Sequence, residues 1–172
     1  MQTTILAVLL ATLPTCSLAQ QTSQSGQSNR QEGVVQRGDH VMGFSHDATT
    51  HHFHLLKDGG EIIVTANQSN DETTIGEIRM HLSHVATMFS DGNFNAPMLI
   101  HDTNPPGAAT MARLKGQIHY EVSEVERGAK IRITTSSPET TDAVHAFLLF
   151  QIVDHQTGDA PCLLYTSPSP RD

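Results

Sequence analysis

The sequence is poor in basic residues and in cysteine. Its 172 residues include 10 Lys and Arg against 18 Asp and Glu, which gives a formal net charge of −8 with histidine neutral. Binding to nucleic acid or to an anionic membrane surface needs clustered basic side chains, so this charge argues against both partners. The length fits one ordinary domain.

Both cysteines fall in segments that we expect to lie outside the mature domain. Residues 5–13 form an apolar run too short to span a bilayer, and Ser17-Leu18-Ala19 is typical of a signal-peptidase site. Residues 1–19 are therefore predicted to be a signal peptide of a periplasmic or secreted protein, with lipidation of Cys16 as the alternative. Residues 162–172, CLLYTSPSPRD, read as the in-frame translation of a transposon-type sequencing adapter, so residues 161–172 are predicted not to be native.

Removing these two segments leaves a domain without a thiol. This excludes a disulfide, a cysteine nucleophile and haem attachment through Cys-x-x-Cys-His, and it suits an oxidising compartment. Other catalytic signatures are absent as well. There is no GxSxG and no HExxH, and Gly59-Gly60 marks a hairpin turn rather than a phosphate-binding loop. The sequence indicates no reaction and favours a protein that is not an enzyme.

Residues 20–38 are rich in Gln, Ser, Asn and Gly, so they are predicted to be a flexible linker before a single domain over residues 39–160. The first half of that domain has alternating segments at 51–56 and 61–66 around a Lys-Asp-Gly-Gly turn, which predicts a β-hairpin. A helix over 73–90 should follow, capped by Asn70-Asp71. Its apolar stripe would be Ile75, Ile78, Leu82, Val85 and Phe89.

The second half repeats this order. Segments 117–124 and 130–135 alternate around Arg127-Gly128, and Ser137-Pro138-Glu139 predicts the start of a helix that runs to about His155. Between the halves we expect an extended piece at 98–102 and a short helix at 108–115. The prediction is an α+β, two-layer ββα-ββα fold, with a four-stranded, mostly antiparallel sheet and two helices on one face, a circular permutation of the ferredoxin-like order.

Eleven histidines are the most distinctive feature of the composition, and neutral imidazole is the commonest metal ligand in proteins. On the first strand, His52 and His54 should project from one face while Phe53 and Leu55 project from the other. A His-x-His pair on a rigid strand can hold a metal ion. The alternative is a solvated strand face without a ligand.

A second group lies on the first helix. Met80, His84 and Met88 recur at intervals of four, and His81 lies one turn before His84, so these side chains should be neighbours. Imidazole with thioether favours copper, and zinc is the second choice. The alternative is that the methionines fill gaps in the core and the histidines are half-buried boundary residues.

Three functions fit these features. The first is binding of a transition metal, copper preferred, by the strand and helix groups together, which requires His52 and His54 to face the helices. The second is a metal-free module that binds a ligand, a protein or a second copy of the chain on the open sheet face. The third is an enzyme that uses His101, His52 or His145 as general base, with a neighbouring carboxylate such as Asp102 orienting His101.

Three stretches carry a resemblance. They are MGF at 42–44 with TTHHF at 49–53, then IRMHLSHV at 78–85, and FLLFQIVDHQTGD at 147–159. With these stretches the chain resembles a group of small exported bacterial proteins of unassigned function, over about residues 42–159. The resemblance implies export from a bacterial cell and implies no reaction.

Overall fold

The computed structural model describes residues 18–164, with side chains from residue 29 onward. In that range the bounds are α1 Leu18–Met42, β1 Thr49–Leu56, β2 Gly59–Ala66, α2 Glu72–Ser90, α3 Asn95–His101, α4 Ala108–Arg113, β3 Ile118–Val125, β4 Gly128–Thr135 and α5 Pro138–Asp154. None of the helices in residues 18–164 is both long enough and apolar enough for a membrane span. Most of the predicted signal peptide, residues 1–17, and the tail at 165–172 lie outside the described residues.

The four strands form one antiparallel sheet in the order β1-β2-β4-β3. Each hairpin pairs its own strands, and the hairpins join through β2 and β4. If the chain ends were connected, the elements would read βαββαβ starting from β2, which is the ferredoxin-like order. The structure therefore confirms the predicted α+β fold with an open four-stranded sheet and helices packed against it.

The helix that follows each hairpin packs mainly on the other hairpin. Helix α2 contacts β3 and β4, and α5 contacts β1 and β2. Both helices begin where capping chemistry predicts. The Asp71 carboxylate accepts the backbone N–H of Thr74 at 3.1 Å, and the Ser137 hydroxyl accepts that of Thr140 at 3.3 Å. The predicted stripe of α2 is buried in full: Ile75, Ile78, Leu82, Val85 and Phe89.

Alternation along β1 divides its side chains between the two faces of the sheet. His51, Phe53 and Leu55 point toward the helices and are buried, while His52 and His54 point to the outer face and are partly exposed. The outer face is polar. One row across its four strands, from β1 to β3, consists of His54, Glu61, Arg132 and Glu121.

The structure differs from the sequence expectation at residues 20–38, which are helical rather than a flexible linker. The side chain of Val34 is 1% exposed, the Arg37 Nε donates to the carbonyl of Ile100 at 2.8 Å, and the Arg30 Nε donates to Asp154 at 2.8 Å. These contacts with distant residues hold α1 in place. Its own sequence lacks the apolar period that would have predicted a helix.

A second difference concerns residues 98–102, which were expected to be extended. Residues 95–101 form helix α3 instead, with Pro97 in its first turn, where a missing N–H costs no helical hydrogen bond. The apolar run from Pro97 to Ile100 is short and has no period, so it fits a strand or a helix equally well on pattern alone. The short helix predicted at 108–115 is present as α4.

The packing of α1 can be tested with a pair of identical substitutions. Val34→Ala should lower the free energy of unfolding by about 2 kcal/mol, because it removes two buried methyl groups and leaves a cavity. Val35→Ala makes the same change one position along, at a half-buried residue, and should cost less than half as much. Urea denaturation measures both, and equal effects would show that α1 does not pack as described.

Candidate functional site

Two histidines of β1 and one aspartate beyond α5 come together at the outer face of the sheet edge. His52 Nδ1 lies 2.8 Å from Asp159 Oδ1, and the rings of His52 and His54 are 6.0 Å apart between centroids. One ligand atom from each of the three residues lies within 4.8 Å of the others. In residues 18–164 these three are the one group of His, Cys, Asp or Glu side chains that meets in this way. We call it the edge site.

The Asp159 carboxylate is held in place by its own hydrogen bonds. Its Oδ2 accepts the backbone N–H of Phe53 at 2.9 Å and the Thr157 hydroxyl at 2.7 Å, which leaves Oδ1 facing His52. The chain turns back toward β1 through two residues with positive φ, Gln156 and Gly158. Glycine favours that conformation, so the local sequence suits the turn.

This carboxylate is negatively charged at neutral pH. Partial burial opposes its ionisation, but the hydrogen bonds from Thr157, Phe53 and His52 outweigh that cost and lower the pKa of Asp159 below its ordinary value. A metal ion therefore meets no proton on this ligand. The His52 side chain is 43% exposed and that of His54 is 27% exposed, so the site is open to solvent.

The helix group predicted from the sequence lies elsewhere. Met80 is 71% exposed on α2, His84 is exposed, His81 turns toward the interior, and Met88 packs against the core. These residues lie on the helix side of the sheet, whereas His52 and His54 lie on the other side.

The two predicted groups therefore do not form one shared site. Such a site would need Phe53 and Leu55 to face outward, but each of them is 4% exposed and packs in the core. Burial of two large apolar side chains decides which face of β1 points inward, and it turns His52 and His54 away from the helices.

A second cluster of histidines lies on the helix side of the sheet, which sequence reasoning missed as a group. The rings of His46, His51 and His155 are nearly parallel, with centroids 5.1 to 5.8 Å apart. His101 meets His155 edge-on at 4.9 Å. These four residues come from three separate stretches of the chain, and only the fold brings the stretches together.

His101 is fully buried and fully hydrogen-bonded. Its Nδ1 lies 2.5 Å from Asp154 Oδ2, and its Nε2 lies 2.8 Å from Gln151 Oε1. Asp154 also accepts the Arg30 Nε, so one carboxylate ties α1, α3 and α5 together. The expected neighbour Asp102 does not play this role. It caps the end of α3 with φ 48 and is exposed.

His145, another candidate general base, is part of the packing of α5 on the first hairpin. Its Nε2 lies 2.8 Å from the Leu56 carbonyl and 3.0 Å from the Gly59 carbonyl, so this nitrogen is the donor. A nitrogen that donates to backbone carbonyls cannot also accept a proton from a substrate. The hydrogen bonds of Nε2 therefore serve the packing of α5 on the first hairpin.

Four histidines on the helix side of the sheet, which we call the inner histidines, border a cavity of about 80 Å³: His51, His81, His101 and His155. It lies between β1, α2, α3 and α5, and His51, His81, His101, Gln151 and His155 are its polar lining residues. Both ring nitrogens of His51, the Nδ1 of His155 and the Nε2 of Gln151 are enclosed and have no hydrogen-bond partner within the part of the chain that the structure describes. We call it the inner cavity.

Three of these histidines resist protonation. Burial, followed by the nearby His46, lowers the pKa of His51 to about 3. Burial and then the neighbouring His84 lower the pKa of His81 to about 4. Burial, and then His101, lowers the pKa of His155 well below its ordinary value. All three imidazoles are neutral at pH 7.

Comparisons with known proteins give no parallel for this arrangement. No protein-family model, no curated protein and no solved structure matches the chain. The resemblance to small exported bacterial proteins stays a prediction, and function must be argued from the geometry of this chain.

The inner histidines make stability depend on pH. The pKa values of His51, His81 and His155 are lower in the folded state than the unfolded value of 6.5, so the contribution of these three residues is complete above pH 6.5 and is lost as the pH falls below it. Each group should lower the free energy of unfolding by up to about 1.4 kcal/mol per pH unit there. Urea midpoints at pH 7.5, 6.5 and 5.5 measure this slope. A midpoint that stays constant would contradict it. The variant His81→Phe should reduce the pH dependence of the free energy of unfolding by the contribution of one histidine.

Proposed function

We propose that this protein binds a divalent transition-metal ion at the edge site through His52, His54 and Asp159. The observation that carries the proposal is the meeting of two imidazoles and one carboxylate, from two separate stretches of chain, with ligand atoms within 4.8 Å of one another. Imidazole and carboxylate are ordinary ligands of Zn²⁺ and Cu²⁺. Asp159 offers a charged oxygen, and its other oxygen is already held by the protein.

The ligand set changes the form of copper that is expected. Thioethers favour Cu(I), but Met80 and Met88 lie on the helix side of the sheet and away from the edge site. Two imidazoles and a carboxylate suit a divalent ion instead. Cu²⁺ binds such nitrogen and oxygen sites more tightly than Zn²⁺, so copper stays the first choice and zinc the second.

Three protein ligands leave at least one coordination position for water or another small ligand. Because the His52 side chain is 43% exposed, an ion at this site would exchange with solution. That character fits a protein that captures or delivers a metal ion better than one that uses it to hold the fold. Export to the periplasm or beyond, expected from the sequence, would bring the site into contact with metal from outside the cell.

The alternative of a metal-free module on the open sheet face stays a prediction. Charged and polar side chains dominate the middle of that face, including the ion pair between Lys130 and Glu61 at 3.2 Å. A stable dimer usually needs an exposed apolar patch, whereas the middle of this sheet face is polar. We therefore place the metal proposal first.

Calorimetric titration of the purified protein with Cu²⁺ and with Zn²⁺ tests the proposal. We expect one ion per chain and tighter binding of Cu²⁺. His52→Ala, His54→Ala and Asp159→Asn should each weaken binding by at least about 100-fold, because each removes one ligand or its charge. Circular dichroism should show that these variants remain folded, since all three residues lie at the surface edge.

Two controls separate the edge site from adventitious binding by a histidine-rich chain. His119→Ala removes an exposed histidine of β3, and His84→Ala removes one of the helix group, and neither should change the affinity. If the ion is lost in His84→Ala and kept in His54→Ala, the helix group is the site and the edge site is refuted. Equal, weak effects of all five variants would show only nonspecific binding.

A further inference from the structure

The inner cavity has an almost wholly apolar wall. Side chains such as Ile62, Leu82, Val85 and Phe89 form that wall, and His51, His155 and Gln151 also border the cavity. Asp, Glu, Lys and Arg are absent from its lining. A concave, mostly apolar space with a few converging polar atoms is the ordinary design of a small-molecule site.

These three polar residues carry hydrogen-bonding groups without partners. His51 is 8% exposed, and among residues 18–164 neither of its ring nitrogens has a partner; the enclosed Nδ1 of His155 and Nε2 of Gln151 also lack one there. A buried polar atom left unpaired costs stability, so such atoms are rare in proteins unless something else completes them. Four of them on residues that border one cavity indicate that an occupant supplies at least one of the missing bonds.

The charge of the lining limits what that occupant can be. The pKa of His155 lies well below its ordinary value because the ring is buried, and the pKa of His81 is about 4, so both are neutral at pH 7. The Asp154 carboxylate behind His101 is already paired with Arg30 and His101, so an ion in the cavity would lack an opposite charge of its own, which favours an uncharged occupant. An acceptor and a donor are both available, because a neutral imidazole offers one of each.

We propose that the inner cavity binds a small uncharged molecule with an apolar body and one hydrogen-bonding group, such as a short or cyclic alcohol. Its hydroxyl pairs with one of the free nitrogens of His51, His155 or Gln151, and its hydrocarbon part lies against the apolar wall. A volume of about 80 Å³ admits a molecule of roughly four or five non-hydrogen atoms, or about three waters. This site is separate from the edge site, since His51 and His52 face opposite sides of the sheet.

A metal ion is a poorer occupant than an uncharged molecule. Within residues 18–164 the inner histidines do not bring three ligand atoms as close together as the edge site does. The near-parallel stacking of His46, His51 and His155, with centroids at least 5.1 Å apart, separates their nitrogens rather than converging them. Water is the remaining competitor, and displacement by an added alcohol distinguishes a ligand site from a site for ordered water.

Methyl NMR with cyclobutanol as the probe tests this proposal, with EDTA present so that the edge site is metal-free. Saturable shifts are expected at the methyl groups of Ile62, Val85 and Ile100, with a Kd of about 1 mM. Cyclobutylammonium has the same skeleton and a positive charge, and it should cause no saturable shift. His51→Phe should weaken cyclobutanol binding by at least about tenfold, and it should fold, because it removes unpaired nitrogens and keeps a ring.

A second variant acts through space rather than through hydrogen bonding. Ala96→Leu adds bulk to the cavity wall and should also weaken binding by at least about tenfold, whereas Ala109→Leu on the exposed side of α4 should leave it unchanged. Each of three results would overturn the proposal: no saturable shift up to about 20 mM, equal binding of cyclobutylammonium, or full affinity in both cavity variants. Ordered waters on His51 and His155 that cyclobutanol does not displace in a crystal would also overturn it.

Discussion

The alternation of side chains along β1 determines where each histidine of this protein can act. β1 is an edge strand, and its pairing with β2 places Phe53 opposite Ile62 in the core. That register sends His51 to the helix side and His52 to the outer side. A slip of one residue would exchange the two faces and expose Phe53, so burial of apolar surface holds both sites in place.

The end of α5 supplies the other half of both sites. Asp154 accepts from His101, His155 borders the inner cavity, and Asp159 reaches His52 after the turn at Gly158. Asp159 also accepts a backbone N–H of β1, which would otherwise be open to another strand. A charged residue at an edge strand discourages pairing with a second chain. The same carboxylate therefore protects the edge and completes the edge site.

The sequence was informative where local chemistry decides structure. The turn at Lys57-Asp58, the caps at Asp71 and Ser137, and the stripe of α2 each depend on residues a few positions apart, and the structure has all of them. Helices α1 and α3 were not foreseen, because long-range contacts such as Arg37 with Ile100 hold them. Local pattern carries no trace of such contacts.

The candidate site was only half predictable for the same reason. The spacing of His52 and His54 predicts their shared face, which depends on strand geometry alone. Asp159 lies more than a hundred residues further on, and only the packing of α5 on the first hairpin brings it to His52. Gly158 after the end of a predicted helix was a signal for a turn there, but not for its direction.

The buried histidines of this chain differ in whether other groups of the protein form hydrogen bonds with their ring nitrogens. His101 shows that the core can satisfy a buried imidazole completely, through Asp154 and Gln151, and the Nε2 of His145 is satisfied by the carbonyls of a hairpin. His51 lies in the same core, and both of its nitrogens are unpaired among the residues that the structure describes. Burial alone does not explain that difference. We therefore infer that the histidines with hydrogen-bond partners stabilise the fold and that the unpaired ones bind another molecule.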